Sequence, residues 1–126
     1  MQRAELLKNG RNLLLKLHKS LLDHERAIYE GIHGPQTPTQ FLNILLEDPD
    51  FNWLRKFSTL IVDIDEMFAQ KDGFSDEIVD LHIEKLRELI AMEDEDERFK
   101  ERYQSGLQLD LDAAAHHGAL KDLLGP

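Results

Sequence analysis

The sequence predicts an all-α fold, a small helical bundle of four to five main helices. Apolar residues recur at helical spacing in two long stretches, residues 3–32 and 51–70. Capping residues stand before several apolar runs, as they do at helix starts. Valine and isoleucine never alternate with polar residues in a period of two, as a half-buried strand would require. We expect one domain, 1–126, with 106–126 as a candidate peripheral C-terminal helix.

Composition restricts the class of protein. The hydrophobic fraction of 41% and the charged fraction of 32% are ordinary for a soluble globular protein. The absence of cysteine excludes disulfides and thiol catalysis, and fits a reducing cytosol. A net charge of −10 disfavours nucleic acid as a partner, because phosphate binding depends on clustered Lys and Arg. No apolar run approaches the ~20 residues of a membrane span, so we expect a cytoplasmic protein that binds neither nucleic acid nor membrane.

The first predicted helix covers residues 3–32 and ends at Gly31, Gly34 and Pro35. Its apolar residues occupy a wide arc, roughly 200° of the helical wheel. A helix that is apolar over so much of its circumference contacts neighbouring helices on several sides. Gly10 is expected to fray or kink it, at a cost of ~1 kcal/mol relative to Ala. The apolar positions are Leu6, Leu13, Leu14, Leu17, Leu21, Ile28 and Ile32.

Thr37 is the predicted cap of the second helix, because Pro38 suits the first helical position and Gln40 completes a capping box. The helix runs to about Glu47, and Pro49 breaks it. Its predicted buried residues are Phe41, Leu42, Ile44 and Leu45.

A central helix, about 51–70, is expected to organise the domain, because it holds the single tryptophan and the densest apolar run. Asp50 is its predicted cap. Ser75, followed by two acidic residues, marks the start of the next helix. Gly106 is expected to divide a short helix from a last segment, about 110–124.

Three titratable or charged residues, Arg11, His18 and Glu25, fall inside the apolar arc of the first predicted helix. They are seven residues apart and form a line, each about 10 Å from the next along the axis. Tyr29 extends this polar line by one turn. Burying such groups costs several kcal/mol unless they are paired or hydrogen-bonded. The line therefore marks either a satisfied polar network at the edge of the core, or a ligand pocket or partner groove.

The central helix carries a similar polar set. Ser58 and Asp65 lie seven apart on the border of its apolar arc, and Arg55 lies just outside. We hypothesise that Asp65 or Arg55 contacts His18 or Glu25 of the first helix. A contact to His18 or Glu25 would satisfy both sets at once. The candidate polar site comprises Arg11, His18, Glu25, Tyr29, Arg55, Ser58 and Asp65.

No catalytic or cofactor motif is present. The sequence contains no Gly-rich phosphate loop, no G-x-S-x-G and no H-E-x-x-H. Glu30 and His33 match Glu-x-x-His once, whereas di-iron bundles need this motif twice and two further Glu. His116 and His117 are adjacent, so on a helix they point to different faces. We expect no metal, no cofactor and no catalytic residue.

Two groups of residues carry a resemblance. The first is Leu17-His18-Lys19, Leu22-Asp23, Glu25-Arg26 and Tyr29-Glu30, and the second is Phe51, Trp53-Leu54-Arg55, Ser58, Leu60-Ile61-Val62 and Asp65-Glu66. Together they resemble an uncharacterised family of short bacterial all-helical proteins, over about residues 14–70. The WLR…S…LIV…DE string is the most specific part, although Lys56 stands where family members tend to carry Pro. The resemblance implies a cytoplasmic bacterial protein and no particular chemistry.

No activity is assignable from these patterns. The leading hypothesis is a non-enzymatic protein-interaction bundle, either a homodimer or bound to a protein partner. It follows from the wide apolar arc of the first helix and the lack of catalytic motifs. The alternative is a small-molecule or metal-binding bundle, with its polar site between the first and central helices.

Overall fold

The computed structural model describes residues 2–125 and confirms the all-α class. This part of the chain contains six α-helices and one 3-10 helix, and no strand. The number of α-helices is therefore one more than the upper end of the expectation. Among residues 2–125, no helix is both long and apolar enough to cross a membrane. The bounds are α1 Gln2–His33, α2 Pro38–Glu47, the 3-10 helix Pro49–Leu54, α3 Arg55–Phe68, α4 Asp76–Ile90, α5 Glu97–Leu109 and α6 Leu111–Leu124.

Helix α1 is the element on which the bundle is assembled. It contacts α3, α4, α6 and the 3-10 helix, as expected for a helix with so wide an apolar arc. Its 32 residues give it a length of about 48 Å, enough to span the bundle. The expectation that residues 51–70 organise the domain is therefore wrong. The fully buried leucines of α1 are Leu7, Leu14, Leu17 and Leu21.

Side-chain caps determine where α2 and α4 begin. The Thr37 hydroxyl accepts a hydrogen bond from the Gln40 backbone N–H at 3.1 Å. The Gln40 side chain accepts one from the Thr37 N–H at 2.9 Å, so the predicted capping box is confirmed. The Ser75 hydroxyl accepts from the Ile78 N–H at 3.2 Å, which confirms the predicted start of α4.

The predicted central helix is divided in two. Its first residues form the 3-10 helix, and α3 begins only at Arg55. Asp48, rather than Asp50, caps this segment, because its carboxylate accepts from the Asp50 N–H at 3.0 Å. The Phe51 N–H donates to the Asp48 carbonyl at 3.1 Å, and this three-residue spacing tightens the chain into the 3-10 form.

Two glycines, Gly10 and Gly106, lie inside helices where neighbouring helices approach closely. Helix α5 continues through Gly106 to Leu109, so the predicted division at this glycine is wrong. A Cβ atom on Gly106 would lie 2.6 Å from Cδ2 of Leu21 in α1. A Cβ atom on Gly10 would lie 2.7 Å from Cδ2 of Leu86 in α4. The missing side chains therefore let α4 and α5 pack against α1.

Helix α6 packs along α1 and also contacts α4 and α5. Three of its residues enter the core, Ala113, Leu120 and Leu124. Of the segment 106–126, expected as a candidate peripheral helix, residues 106–125 contain the end of α5 and the whole of α6, and residue 126 lies outside the described part of the chain.

Replacing Gly106 by Ala should destabilise the protein, although Ala is the better helix former. The new Cβ would overlap the buried Leu21 side chain, and overpacking of this kind costs ~1–3 kcal/mol. Gly118 in α6 is the matched control, because a Cβ there meets nothing within 4 Å. Gly118→Ala should raise the free energy of unfolding by up to ~1 kcal/mol. Urea unfolding of both variants tests this, and a Gly106→Ala protein as stable as Gly118→Ala would contradict the close contact.

Candidate functional site

A bidentate ion pair joins Arg11 of α1 to Asp65 of α3. The Arg11 Nε and Nη2 atoms donate to Oδ1 and Oδ2 of Asp65, each at 2.8 Å. This hydrogen-bonded carboxylate raises the pKa of Arg11. The hypothesised contact of Asp65 or Arg55 with His18 or Glu25 is therefore wrong, because Asp65 binds Arg11 and Arg55 binds the Leu46 carbonyl.

The antiparallel course of α3 explains this difference. His18 stacks on Phe57, with ring centroids 6.2 Å apart, while Asp65 lies beside Arg11. Moving along α3 from residue 57 to residue 65 therefore means moving back along α1. Eight helical residues span about 12 Å, so Asp65 lies more than two turns away from His18. Partial burial against the aromatic ring lowers the pKa of His18, because its charged form loses water.

Glu25 is paired with Arg102 of α5, a residue that the sequence did not point to. Its Oε2 atom accepts a hydrogen bond from Arg102 Nη2 of α5 at 2.8 Å. Glu25 is only 8% exposed, and the Arg102 guanidinium lies 5.9 Å from the centre of the Trp53 ring. The signal available in the sequence was weak: Arg102 follows the buried Phe99 by three residues, which places it on the border of the α5 core face.

Tyr29 belongs to an aromatic cluster and not to a polar site. Its ring centre lies 6.2 Å from that of Phe41 in α2 and 6.1 Å from that of Phe51 in the 3-10 helix. It also lies 4.3 Å from the His33 ring, one turn further along α1. The cluster holds α2 against the end of α1.

The two remaining residues make bonds to nearby carbonyl groups. Arg55 Nη2 donates to the Leu46 carbonyl at 2.6 Å, which ties the start of α3 to the end of α2. The Ser58 hydroxyl donates to the Arg55 carbonyl in its own helix at 3.2 Å. Of the seven candidate residues, the structure joins Arg11 to Asp65 and Ser58 to the Arg55 carbonyl, and it does not gather the set into one site. Within residues 2–125, no group of three or more His, Asp or Glu residues could hold a metal ion.

Helix α2 presents an apolar surface that the wheel had assigned to the core. Its residues 41–46 include five large apolar side chains, yet only Phe41 is buried. Leu42 and Leu46 are 54% and 58% exposed, and Ile44 and Leu45 are only partly buried. The expectation that Leu42 is buried is therefore wrong. The α2 surface is defined here as Thr39, Leu42, Asn43 and Leu46, all exposed.

The α2 surface also lacks charge. Glu47, the last residue of α2, is the one charged residue in this helix. Every other α-helix within residues 2–125 carries several charged residues. Leu42 and Leu46 are four residues apart and so lie one above the other on the same face. An uncharged face with two neighbouring leucines is an unusual exposed surface on a protein of net charge −10.

A cleft of about 870 Å³ separates the 3-10 helix and α3 from α4 and the start of α5. Its lining carries charges of both signs, and two ion pairs lie within the cleft. Lys56 Nζ lies 2.9 Å from Asp94, and Arg98 pairs with Asp50. The bond from Lys56 lowers the pKa of Asp94. The lining holds six acidic and four basic residues, so charged groups other than these two pairs also line the cleft.

A second cleft, of about 910 Å³, lies between the ends of α4 and α6. His117 lines it, with Nδ1 lying 2.7 Å from the hydroxyl of the fully buried Tyr103. Burial lowers the pKa of His117 and raises that of Tyr103. Arg87 Nη2 donates to the Leu124 carbonyl at 2.6 Å, so this guanidinium fastens α4 to the end of α6.

No protein-family model matches this chain, and no match was found among curated proteins or among solved structures. The resemblance of residues 14–70 to a family of short helical proteins therefore stays a prediction.

A double-mutant cycle on Glu25 and Arg102 should give a measurable coupling energy. Glu25→Gln removes a nearly buried charge, and we expect it to lower the free energy of unfolding by about 1–2 kcal/mol, less than a fully buried pair because Arg102 is partly exposed. Arg102→Gln completes the cycle. The exposed pair Arg3 and Asp80 is the control and should couple by less than ~1 kcal/mol. Equal coupling in both cycles would contradict the special position of Glu25.

Stability should fall on acidification, partly through His18. Its pKa is lowered in the folded protein, so the unfolded chain binds the proton first. The free energy of unfolding is therefore highest at pH values above the usual histidine pKa of ~6.5, and it falls as the pH drops below that value. Urea midpoints at pH 7.5 and 5.5 measure the effect. His18→Gln should reduce the difference without abolishing it, because the pKa of His117 is lowered too. An unchanged difference would exclude a contribution from His18.

Proposed function

We propose that the protein is a non-enzymatic interaction bundle that binds another protein chain through the α2 surface. The observation that carries the proposal is that α2 exposes Leu42 and Leu46 on a face without charge. Removing one leucine side chain fully from water is worth about 1.5–3 kcal/mol, so covering this face would be favourable. Within the bundle, Leu42 and Leu46 remain exposed, so folding alone does not gain the full free energy of burying them.

Single exposed leucines occur on most proteins and need no explanation. The support for the proposal is that two leucines lie in register on a helix whose residues 38–46 carry no charge. Charged residues are depleted at the centre of protein interfaces, because burying them costs more than burying apolar groups.

The alternative, a small-molecule or metal site between the first and central helices, has less support. Asp65 is bound to Arg11 and Glu25 to Arg102, so both carboxylates already have partners. His18 packs on an aromatic ring instead of facing either acid. A ligand that used these residues would have to break the existing ion pairs.

Photo-cross-linking in cells tests the proposal. A photoreactive amino acid is placed at position 46, and at position 111 as a control, because Leu111 is 88% exposed but belongs to α6. Irradiation should give a protein adduct from position 46 and much less from position 111. Leu42→Glu on the same chain should reduce the adduct at least several-fold. Equal adducts at both positions, or none at position 46, would contradict the proposed surface.

A further inference from the structure

We infer that the hydrogen bond between Tyr103 of α5 and His117 of α6 is a pH-sensitive latch, which holds the middle of α6 against α5 and releases it on acidification. This inference is independent of the proposed α2 surface. The Tyr103 hydroxyl lies 2.7 Å from Nδ1 of His117, and the two rings meet edge to face with centroids 5.4 Å apart. Tyr103 is fully buried, whereas His117 is partly buried and lines the cleft between the ends of α4 and α6.

The burial of Tyr103 determines which atom carries the shared hydrogen. A buried hydroxyl group needs an acceptor for its hydrogen, and His117 Nδ1 is the one hydrogen-bond partner of this hydroxyl within residues 2–125. Tyr103 therefore donates and Nδ1 accepts. Because a neutral imidazole carries one hydrogen, that of His117 must lie on Nε2. The only ring nitrogen that can still take a proton is then Nδ1, the atom that forms the latch.

A proton on Nδ1 removes the acceptor that the Tyr103 hydroxyl uses. Both nitrogens of a charged imidazole are donors, so the hydroxyl oxygen would have to accept the hydrogen bond from His117. The hydroxyl's own hydrogen would then be left without the partner that it has now. A buried donor without an acceptor is costly, and the cost disappears when α6 moves away and water reaches both groups. Acid therefore favours the released form.

The middle of α6 has few other attachments to the core. Ala113 and Leu120 are buried, but none of residues 114–119 is. Among residues 114–119, the bond to Tyr103 is the one side-chain hydrogen bond to another helix. A Cβ atom at Gly118 would meet nothing within 4 Å, so open space lies beside this turn, and glycine also lowers its helix propensity. Losing the bond should therefore loosen these residues, while the buried residues on either side keep α6 in the bundle.

The charges around His117 oppose its protonation in the latched form. Burial, and then the positive charge of Lys121 one turn further along α6, lower the pKa of His117. The one histidine ion pair within residues 2–125 joins His24 of α1 to Asp110 at the start of α6, two turns before His117. On α5, Arg102 beside Tyr103 is already bound to Glu25. The other charged residues that line the same cleft as His117 are Glu84, Arg87, Glu93 and Asp122.

The lowered pKa gives the direction of the pH effect. A released His117 has the usual histidine pKa of ~6.5. Because the pKa is lower in the latched form, the released form binds the proton first. The latch is therefore most stable above pH ~6.5 and weakens as the pH falls below that value. Between about pH 7.5 and 5.5, the equilibrium constant for release should rise by up to about tenfold, the limit for one histidine that titrates only when released.

Amide hydrogen exchange of the full chain, at about pH 7.5 and 5.5, tests the inference once it is corrected for the intrinsic effect of pH on exchange. The amides of residues 114–119 should open more readily than those of the buried part of α1, residues 14–21, which report unfolding of the whole domain. On acidification, the opening constant of residues 114–119 should rise several-fold, up to about tenfold. His18→Gln should leave this rise unchanged, because His18 packs on Phe57 of α3 and not on α6.

Three substitutions separate the latch from simple burial of a histidine. His117→Gln should remove the rise, because an amide oxygen can accept from Tyr103 but does not titrate in this range. His116→Gln is the matched control and should keep the rise, because adjacent side chains of a helix point to different faces. Tyr103→Phe keeps the buried ring and removes the hydroxyl, so protonation of His117 no longer leaves a hydrogen unpaired. The rise in this protein should be smaller than in the wild type, and its residues 114–119 should open more readily at about pH 7.5.

The nitrogen chemical shifts of the His117 ring test the latch in the wild-type protein, so this measurement does not depend on whether a variant folds. At about pH 7.5 the ring hydrogen should lie on Nε2, and a hydrogen on Nδ1 would overturn the inference. Residues 114–119 that exchange as slowly as the buried part of α1 would overturn it too, because α6 would then open only when the whole domain unfolds. A rise that persists in His117→Gln, or one that is as large in Tyr103→Phe as in the wild type, would have the same consequence.

Discussion

The fold depends on burying a long helix that is apolar on more than one side. A single partner helix covers only one stripe of such a surface. The buried leucines of α1 therefore require α3, α4 and α6 around them, and the glycines at positions 10 and 106 let neighbours come close enough. The remaining helices are arranged to meet this requirement. That is why α1, and not the residues around the single tryptophan, determines the architecture.

The same constraint explains the polar line on α1. Its members lie where α1 meets α3 and α5: Arg11 binds Asp65, His18 packs on Phe57, and Glu25 binds Arg102. A seven-residue spacing keeps side chains in one line, so the line follows the border where neighbouring helices meet α1. Each ion pair joins two helices at low cost, because one end remains partly in water. The polar residues therefore contribute to packing specificity without forming a shared cavity.

Helical periodicity predicted the class and most helix bounds, because those depend on local sequence. The Thr37 capping box and the Ser75 cap are local too, and both are formed. Periodicity identifies the face that is buried but not the neighbour that covers it. Arg102 lies 77 residues from Glu25, so no local pattern could have paired them. Gly106 reads as a helix breaker for the same reason, since its close contact with Leu21 is a tertiary feature.

Helix α2 is where local pattern and tertiary packing disagree most. Leu42 was predicted to be buried, but it is 54% exposed, and Leu46 on the same face is 58% exposed. Charges on the other helices give the protein its net −10, which opposes non-specific aggregation. An uncharged face can then stay exposed, and a partner that covers it displaces water from apolar groups without desolvating an ion.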